Sequence, residues 1–359
     1  METRVHLAAV TPWSEGNPTI HGPDIYGASA GKPFLYAVPA TGERPIHYAA
    51  EALPAGLRLD SASGHITGMA KQEGEFRVLL RAQNRHGKAE KEFTIVIGSG
   101  LALTPPMGWN SWNAWRRWVD DAKVRAAADG LVQTGLAARG YTYVNIDSCW
   151  QGARGGKRNA IQPNSKFPDM GSLGSYIHAQ GLKFGIYSTP WTVPWGCSDE
   201  EAMADWGGPG LIGCSSGAPD PAYQTEPIPT GHYVGLNKHE AEDVAQGWSG
   251  VWTSFDYLHE DWRPYIRPGG WHDLDMFALG PQFATATSSC PNKLTPDEQI
   301  THMTAWALYP SPLILSCDLT ALSDDEVRLF GNEEVITVNQ DRLSIPVPAH
   351  GAQLLRIGP

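Results

Sequence analysis

The apolar positions of this chain change their period once, near Leu101. Before that point they alternate with polar positions in short runs: PFLYAVPA (33–40), PIHYAAE (45–51), GLRLDSASGHITG (56–68), EFRVLLRAQN (75–84) and AEKEFTIVIG (89–98). Alternation sends successive side chains to opposite faces of a strand. Gly, Pro, Asn and Ser punctuate the runs about every ten residues, which is the pattern of an all-β sandwich. LDSASGHITG reads as strand, tight turn, strand. The predicted sandwich occupies residues 25–99, behind a polar lead-in at 1–24. It holds no titratable cluster or aromatic cage, so it reads as a support domain.

From Leu101 the spacing becomes helical or continuously apolar. Val124, Ala127, Ala128, Leu131, Val132 and Leu136 predict a helix within 120–139. YTYVNIDSCW (141–150) and LKFGIYSTPW (182–191) read as buried strands, with a helix around 173–180 between them. A helix over 294–308 has a well-marked start, with Thr295 as cap, Pro296 at the first helical position and Glu298 three residues beyond the cap. SPLILSC (311–317) is a further buried strand. Strand, helix, strand at this pitch is the βα repeat of a parallel α/β fold. Asn110–Trp112, Asp147–Trp150 and Tyr187–Trp191 gather polar and aromatic residues at strand ends, where a (β/α)8 barrel builds its site.

The rhythm is not complete. Strands are expected near residues 106, 143, 183, 271 and 313, with a sixth candidate near 255. A Gly/Pro/Ser-rich passage fills 194–237, followed by a short helical stretch at 236–246. The expected architecture is a β-sandwich followed by a barrel over 101–344 that lacks roughly its fourth to sixth strands. An internal loss near Gln246/Gly247 accounts for the gap, and 345–359 resembles the remnant of a C-terminal β-domain.

Composition narrows the chemistry. The chain carries 14 Trp, more than a core of this size usually needs, and flat aromatic faces either stack on sugar rings or fill cores. A net charge of −11 argues against nucleic acid and anionic membranes as partners. No run approaches the ~18 apolar residues of a membrane span. METRVHLAAVTPW shows no signal-peptide pattern, although the mature form of an exported protein would look the same. The five cysteines give no disulfide framework and no CxxC pair; Cys197 with Cys214 is a candidate bridge.

The motifs TPPMGWNSWN, YVNIDSCW, GLKFGIYSTPW, PGGWHDLDMF, SPLILSCDL and VITVNQD, in that order, resemble those of glycoside hydrolase family 27, the α-galactosidases and α-N-acetylgalactosaminidases. The front domain resembles the immunoglobulin-like module that precedes the barrel in some bacterial members. The resemblance implies a retaining glycosidase with an aspartate nucleophile, an aspartate acid/base, a carbohydrate substrate and neither metal nor cofactor. It also implies export to an extracellular or periplasmic compartment.

Carried over by motif, Trp112 matches a sugar-wall tryptophan, with barrel packing as its alternative. Asp147 matches the first of two aspartates that bind galactose hydroxyls, unless it caps a helix. The second is Ser148 here, which lacks a carboxylate's charge-assisted hydrogen bonding. Tyr187 matches a tyrosine near the sugar, again with packing as the alternative. Asp275 and Met276 match a sugar-contacting pair, with Asp273 supporting them. On an extended strand end, Asp273 and Asp275 would point to the same side; a solvated acidic turn is the other reading. His272 and Leu274 depart from the family's WNDPDM form.

The nucleophile motif has the form DYLKYDW, and its counterpart is DYLHEDW (256–262), which places the nucleophile at Asp261. The same residues also resemble a segment leading into WNDPDM, in which Asp261 is a surface residue and the nucleophile is missing. The residues between Trp262 and Pro268 contain no Asp or Glu, so no acid/base is identifiable. Three readings stand: a hydrolase with a compressed barrel, a carbohydrate-binding relative without turnover, and a truncated product with open strand edges.

Overall fold

The computed structural model describes residues 16–156, 160–188, 266–271, 273–277, 279–282, 292 and 294–340. Among the described residues nine strands form the N-terminal domain: β1 (Thr19–Ile20), β2 (Ile25–Ala28), β3 (Phe34–Ala37), β4 (Ala40–Thr41), β5 (His47–Glu51), β6 (Leu57–Leu59), β7 (His65–Gly68), β8 (Gly74–Gln83) and β9 (Lys88–Ile97). One sheet has the order β2-β9-β8-β5 and the facing sheet β3-β7-β6. The alternation read from sequence is what fills the space between them. Phe34, Tyr36, Ile66, Val78, Leu80, Phe93 and Ile95 are buried together, with Tyr36 stacked on Phe93 at 4.7 Å. Thr19–Ile20, within the stretch read as lead-in, pairs antiparallel with Ala40–Thr41.

The second domain is built on a parallel sheet of β10 (Met107–Asn110), β11 (Tyr143–Ile146), β14 (Lys183–Ile186) and β15 (Leu313–Leu315), in the order β14-β11-β10-β15. The first strand lies between the second and the last. Pairing of first and last strands is what closes a barrel, and an open doubly wound sheet has no need of it. Phe277 adds a parallel bridge on the far side of Leu315. The strand expected near 271 is therefore represented, among the described residues, by this bridge at Phe277. Between β11 and the next helix lies an antiparallel hairpin that the sequence did not announce, β12 (Gln151–Gly155) with β13 (Ala160–Pro163).

The helices follow the expected spacing. They are α1 (Trp112–Trp115), α2 (Asp121–Gln133), α3 (Met170–Ala179), α4 (Pro296–Leu308), α5 (Asp324–Phe330) and α6 (Glu333–Gln340). Helix α2 buries Val124, Ala127, Ala128 and Leu131 against the sheet side. Helix α4 begins with the anticipated capping box: the Glu298 N–H donates to Thr295 Oγ1, and Glu298 Oε2 accepts from the Thr295 N–H at 2.8 Å. VITVNQ, whose element type the pattern left undecided, is helical because Asn332 accepts the Val335 N–H at 3.1 Å and starts α6. Trp109, Trp306, Tyr141, Phe167, Phe277 and Phe330 are fully buried at the centre.

The two domains meet at the N-terminal ends of the barrel strands. His21 and Arg139 both pair with Glu333, and the His21 ring also reaches Thr41 Oγ1 at 2.6 Å. Lys183 Nζ lies 4.3 Å from the Tyr26 ring centre and 4.9 Å from that of Tyr143. The sandwich thus braces the face opposite the strand ends where the candidate site lies.

Candidate functional site

The C-terminal ends of β10, β11 and β14 are adjacent because the register is nearly level: Asn110 sits beside Asn145, and Asn145 beside Gly185. The next residues on each chain are therefore neighbours. Trp112, Asp147 with Ser148, and Tyr187 come together here from three strands that are well separated in sequence. The Asp147 carboxylate is held at both oxygens. Oδ2 accepts from Asn110 Nδ2 at 2.9 Å and Oδ1 from the Ser148 N–H at 2.7 Å. Its own N–H donates to Ser111 Oγ at 2.9 Å. The residues that follow it form bends rather than a helix, so the helix-cap alternative does not apply.

The remaining expectations divide. Trp112 is only 6% exposed and joins the barrel core, so packing accounts for most of its ring. Ser148 is turned inward: it is 1% exposed, and among the described residues its Oγ has no hydrogen-bond partner. That places the hydroxyl under the site's rim. Tyr187 is 38% exposed at the mouth. Its carbonyl accepts from Trp150 Nε1 at 2.8 Å, which ties the ends of β11 and β14 together. Cys149, beside them, adopts φ 75° and is disulfide-bonded to a partner outside the described residues, whereas Cys317 is a buried free thiol. The sequence reading had not singled out Cys149 for a bridge. Cys197, Cys214 and Asp261 lie outside the described residues.

Asp273, Asp275 and Met276 arrive one strand further round, on the segment leading to the Phe277 bridge. The extended geometry expected for the two carboxylates is not found. Asp275 has φ 72°, and its N–H donates to Asp273 Oδ1 at 2.9 Å, so the pair forms a tight acidic turn. A left-handed residue breaks the two-residue alternation on which the same-side expectation relied. The Asp275 carbonyl is fixed by Trp306 Nε1 at 2.8 Å. Beneath it His302 has no exposed surface, its ring tilted against those of Trp306 and Phe277 with centres 4.0 and 5.3 Å away, and burial lowers its pKa to about 3. Among the described residues no group of His, Cys, Asp or Glu is arranged to hold a metal ion.

Two contributors were missed as individuals. Asn110 and Ser316 end buried strands with a polar side chain, a signal visible in MGWN and LILS, but the pattern did not say what they would bind. Ser316 Oγ donates to the Asn110 carbonyl at 2.9 Å and accepts the Asn113 N–H at 2.9 Å, joining the ends of β15 and β10.

The fold is a barrel with a polar, aromatic-rimmed mouth behind a β-sandwich, and comparison with known proteins places it among the glycosidases. Residues 104–198 and 223–341 match the alpha galactosidase A model of the melibiases, and residues 17–98 match an Ig domain model. The chain belongs to this family, glycoside hydrolase family 27. It is 33% identical over 292 residues to alpha-galactosidase A of Cellvibrio japonicus, covering 68% of this chain and 69% of that protein. It is 30% identical to the alpha-galactosidase of Cyamopsis tetragonoloba, covering 74% of this chain and 72% of that one. The solved structure of a candidate alpha-galactosidase/melibiase from Bacteroides fragilis superposes with a TM-score of 0.78 at 29% identity, covering 94% of this chain and 82% of that one. The match spans about 70% of the Cellvibrio relative's length, as an incomplete barrel would. Among the described residues no helix is long and apolar enough to cross a membrane.

Proposed function

We propose that the chain binds and hydrolyses terminal α-linked galactose-type sugars at the C-terminal ends of its barrel strands. The observation that carries this reading is the Asp147 carboxylate, oriented through both oxygens beside an exposed Tyr187 at the strand ends. An ionised carboxylate is acceptor-only, which suits it to receive the O–H donors of a sugar. Asp275 and Met276 contact the sugar from the side of β15, supported by Asp273, and Trp112 backs the pocket. Ser148 contributes a neutral wall where relatives place a second carboxylate, which weakens the grip on the galactose hydroxyls.

In the retaining mechanism one carboxylate attacks the anomeric carbon while a carboxylic acid about 5–5.5 Å away protonates the departing oxygen. Water then cleaves the glycosyl-enzyme, its proton passing to the group that acted as acid. Asp261 is the proposed nucleophile. The disulfide at Cys149 supports an oxidising, exported setting for this chemistry.

A second reading, sugar binding without turnover, is favoured by one observation: no Asp or Glu lies between Trp262 and Pro268. Hydrolysis of an aryl α-galactoside by the full chain separates the two, with Asp261→Ala and Asp147→Ala alongside. Turnover abolished by either substitution supports the hydrolase. Turnover untouched by Asp261→Ala removes that residue from the mechanism. Galactose binding without turnover establishes the second reading.

A further inference from the structure

Asn110 closes β10 and supplies one of the two hydrogen bonds that orient Asp147, but it has been given no role of its own in the site. Its amide nevertheless spans two of them. Nδ2 donates to Asp147 Oδ2 at 2.9 Å, and Oδ1 accepts the Trp112 N–H at 2.8 Å. The amide orientation is determined by these partners, since a carboxylate only accepts and a backbone N–H only donates. A rotated amide would lose both bonds at once. The backbone behind it is tied as well, because the Asn110 carbonyl accepts Ser316 Oγ at 2.9 Å from the end of β15. Residue 110 therefore joins the first strand, the last strand and the carboxylate on the second.

We infer that Asn110 is a positioning residue for the sugar site, holding the Asp147 carboxylate in the rotamer that meets the sugar hydroxyls. This rests on the proposed role of Asp147. The side-chain donor on Oδ2 removes one rotational choice from the carboxylate before the sugar arrives, and the Trp112 N–H keeps that donor from turning away. Preorganisation of this kind raises affinity by lowering the ordering cost of binding. Alanine has no donor at this place. Aspartate has the right shape and the opposite effect: two ionised carboxylates at hydrogen-bond distance repel, which raises the pH at which the pair takes up a proton. A shared proton would restore the lost donor, and Asn110→Asp would then regain function as the pH falls.

The test uses the full chain, with galactose as the probe in isothermal titration at pH 7.5 and pH 5. Wild type, Asp147→Ala, Asn110→Ala and Asn110→Asp are compared. We expect Asn110→Ala to bind at least tenfold more weakly at both pH values. Asn110→Asp binds weakly at pH 7.5 and recovers about tenfold or more at pH 5, beyond any change in wild type. A packing role would not produce that acid rescue. Asn110→Ala binding like wild type, or Asn110→Asp equally weak at both pH values, overturns the inference. Asp147→Ala binding as well as wild type would instead overturn the reading of the site itself. A readout that needs no sugar completes the set. Carbon-13 titration of the Asp147 carboxyl should show a higher midpoint in Asn110→Ala than in wild type, because a donor to the ionised form is lost. Identical midpoints count against Asn110 even if no galactose binds.

Discussion

His302 sits under the acidic turn of the site as a titratable ring packed among aromatic side chains. Burial lowers its pKa from 6.5 to about 3, and among the described residues neither ring nitrogen has a hydrogen-bond partner. The ring is neutral in the folded chain at pH 7. Below about pH 6.5 the unfolded ring takes up a proton, whereas the folded ring does not until about pH 3. Proton uptake therefore favours unfolding, and the stability associated with this group is complete above pH 6.5 and lost progressively down to pH 3. One pH unit within that window corresponds to about 1.4 kcal/mol, so the loss at pH 5 is about 2 kcal/mol. Replacing His302 by Phe keeps a planar ring and removes the titration. Urea unfolding followed by tryptophan fluorescence reports on the barrel, because every tryptophan except Trp13 follows Leu101. The advantage of His302→Phe over wild type should grow by about 2 kcal/mol between pH 8 and pH 5. His21 and His65, whose pKa values are also lowered by burial, are present in both proteins and cancel. A stability difference that does not change with pH would refute the reasoning. His302→Leu repeats the test if Phe overpacks the cluster.

Three further outcomes are expected. Gly108→Ala would place a Cβ 2.3 Å from the Tyr143 carbonyl oxygen across the β10–β11 ladder. It should cost about 3 kcal/mol or lower the soluble yield, and wild-type stability would contradict the close approach. Thr295→Ala removes the capping box of α4 and should lower barrel stability by about 1 kcal/mol in the same urea assay, with Thr295→Ser recovering most of it. Burial lowers the pKa of Lys183 from 10.5 to about 7, so its unfolded form holds the extra proton between those values and wild type gains stability as the pH rises through them. Lys183→Met should therefore be most favourable below pH 7 and lose its advantage towards pH 10.5, as read by thermal melting across pH.

The periodic parts of this molecule were legible before the structure. Alternating runs gave the sandwich, the apolar strands 141–150 and 182–191 gave the parallel ladder, and Thr295 and Glu298 gave a helix start. What the sequence did not carry was local backbone geometry. Asp273 and Asp275 looked like an extended pair, and only φ at Asp275 reveals a turn. Ser148 looked like a rim residue, but its direction depends on how the chain bends at Cys149. Asn110 was visible as a polar residue at a strand end, yet its role needs the register that sets β10 beside β11. A period reports which face is buried; it is silent on the partner that a single amide will find.

The central claim is that this incomplete barrel keeps a working galactoside site. Proton NMR of the full chain mixed with an aryl α-galactoside tests it most directly. The account predicts loss of substrate with α-galactose as the first product, before mutarotation produces the β anomer. Unchanged substrate, or β-galactose appearing first, would contradict it.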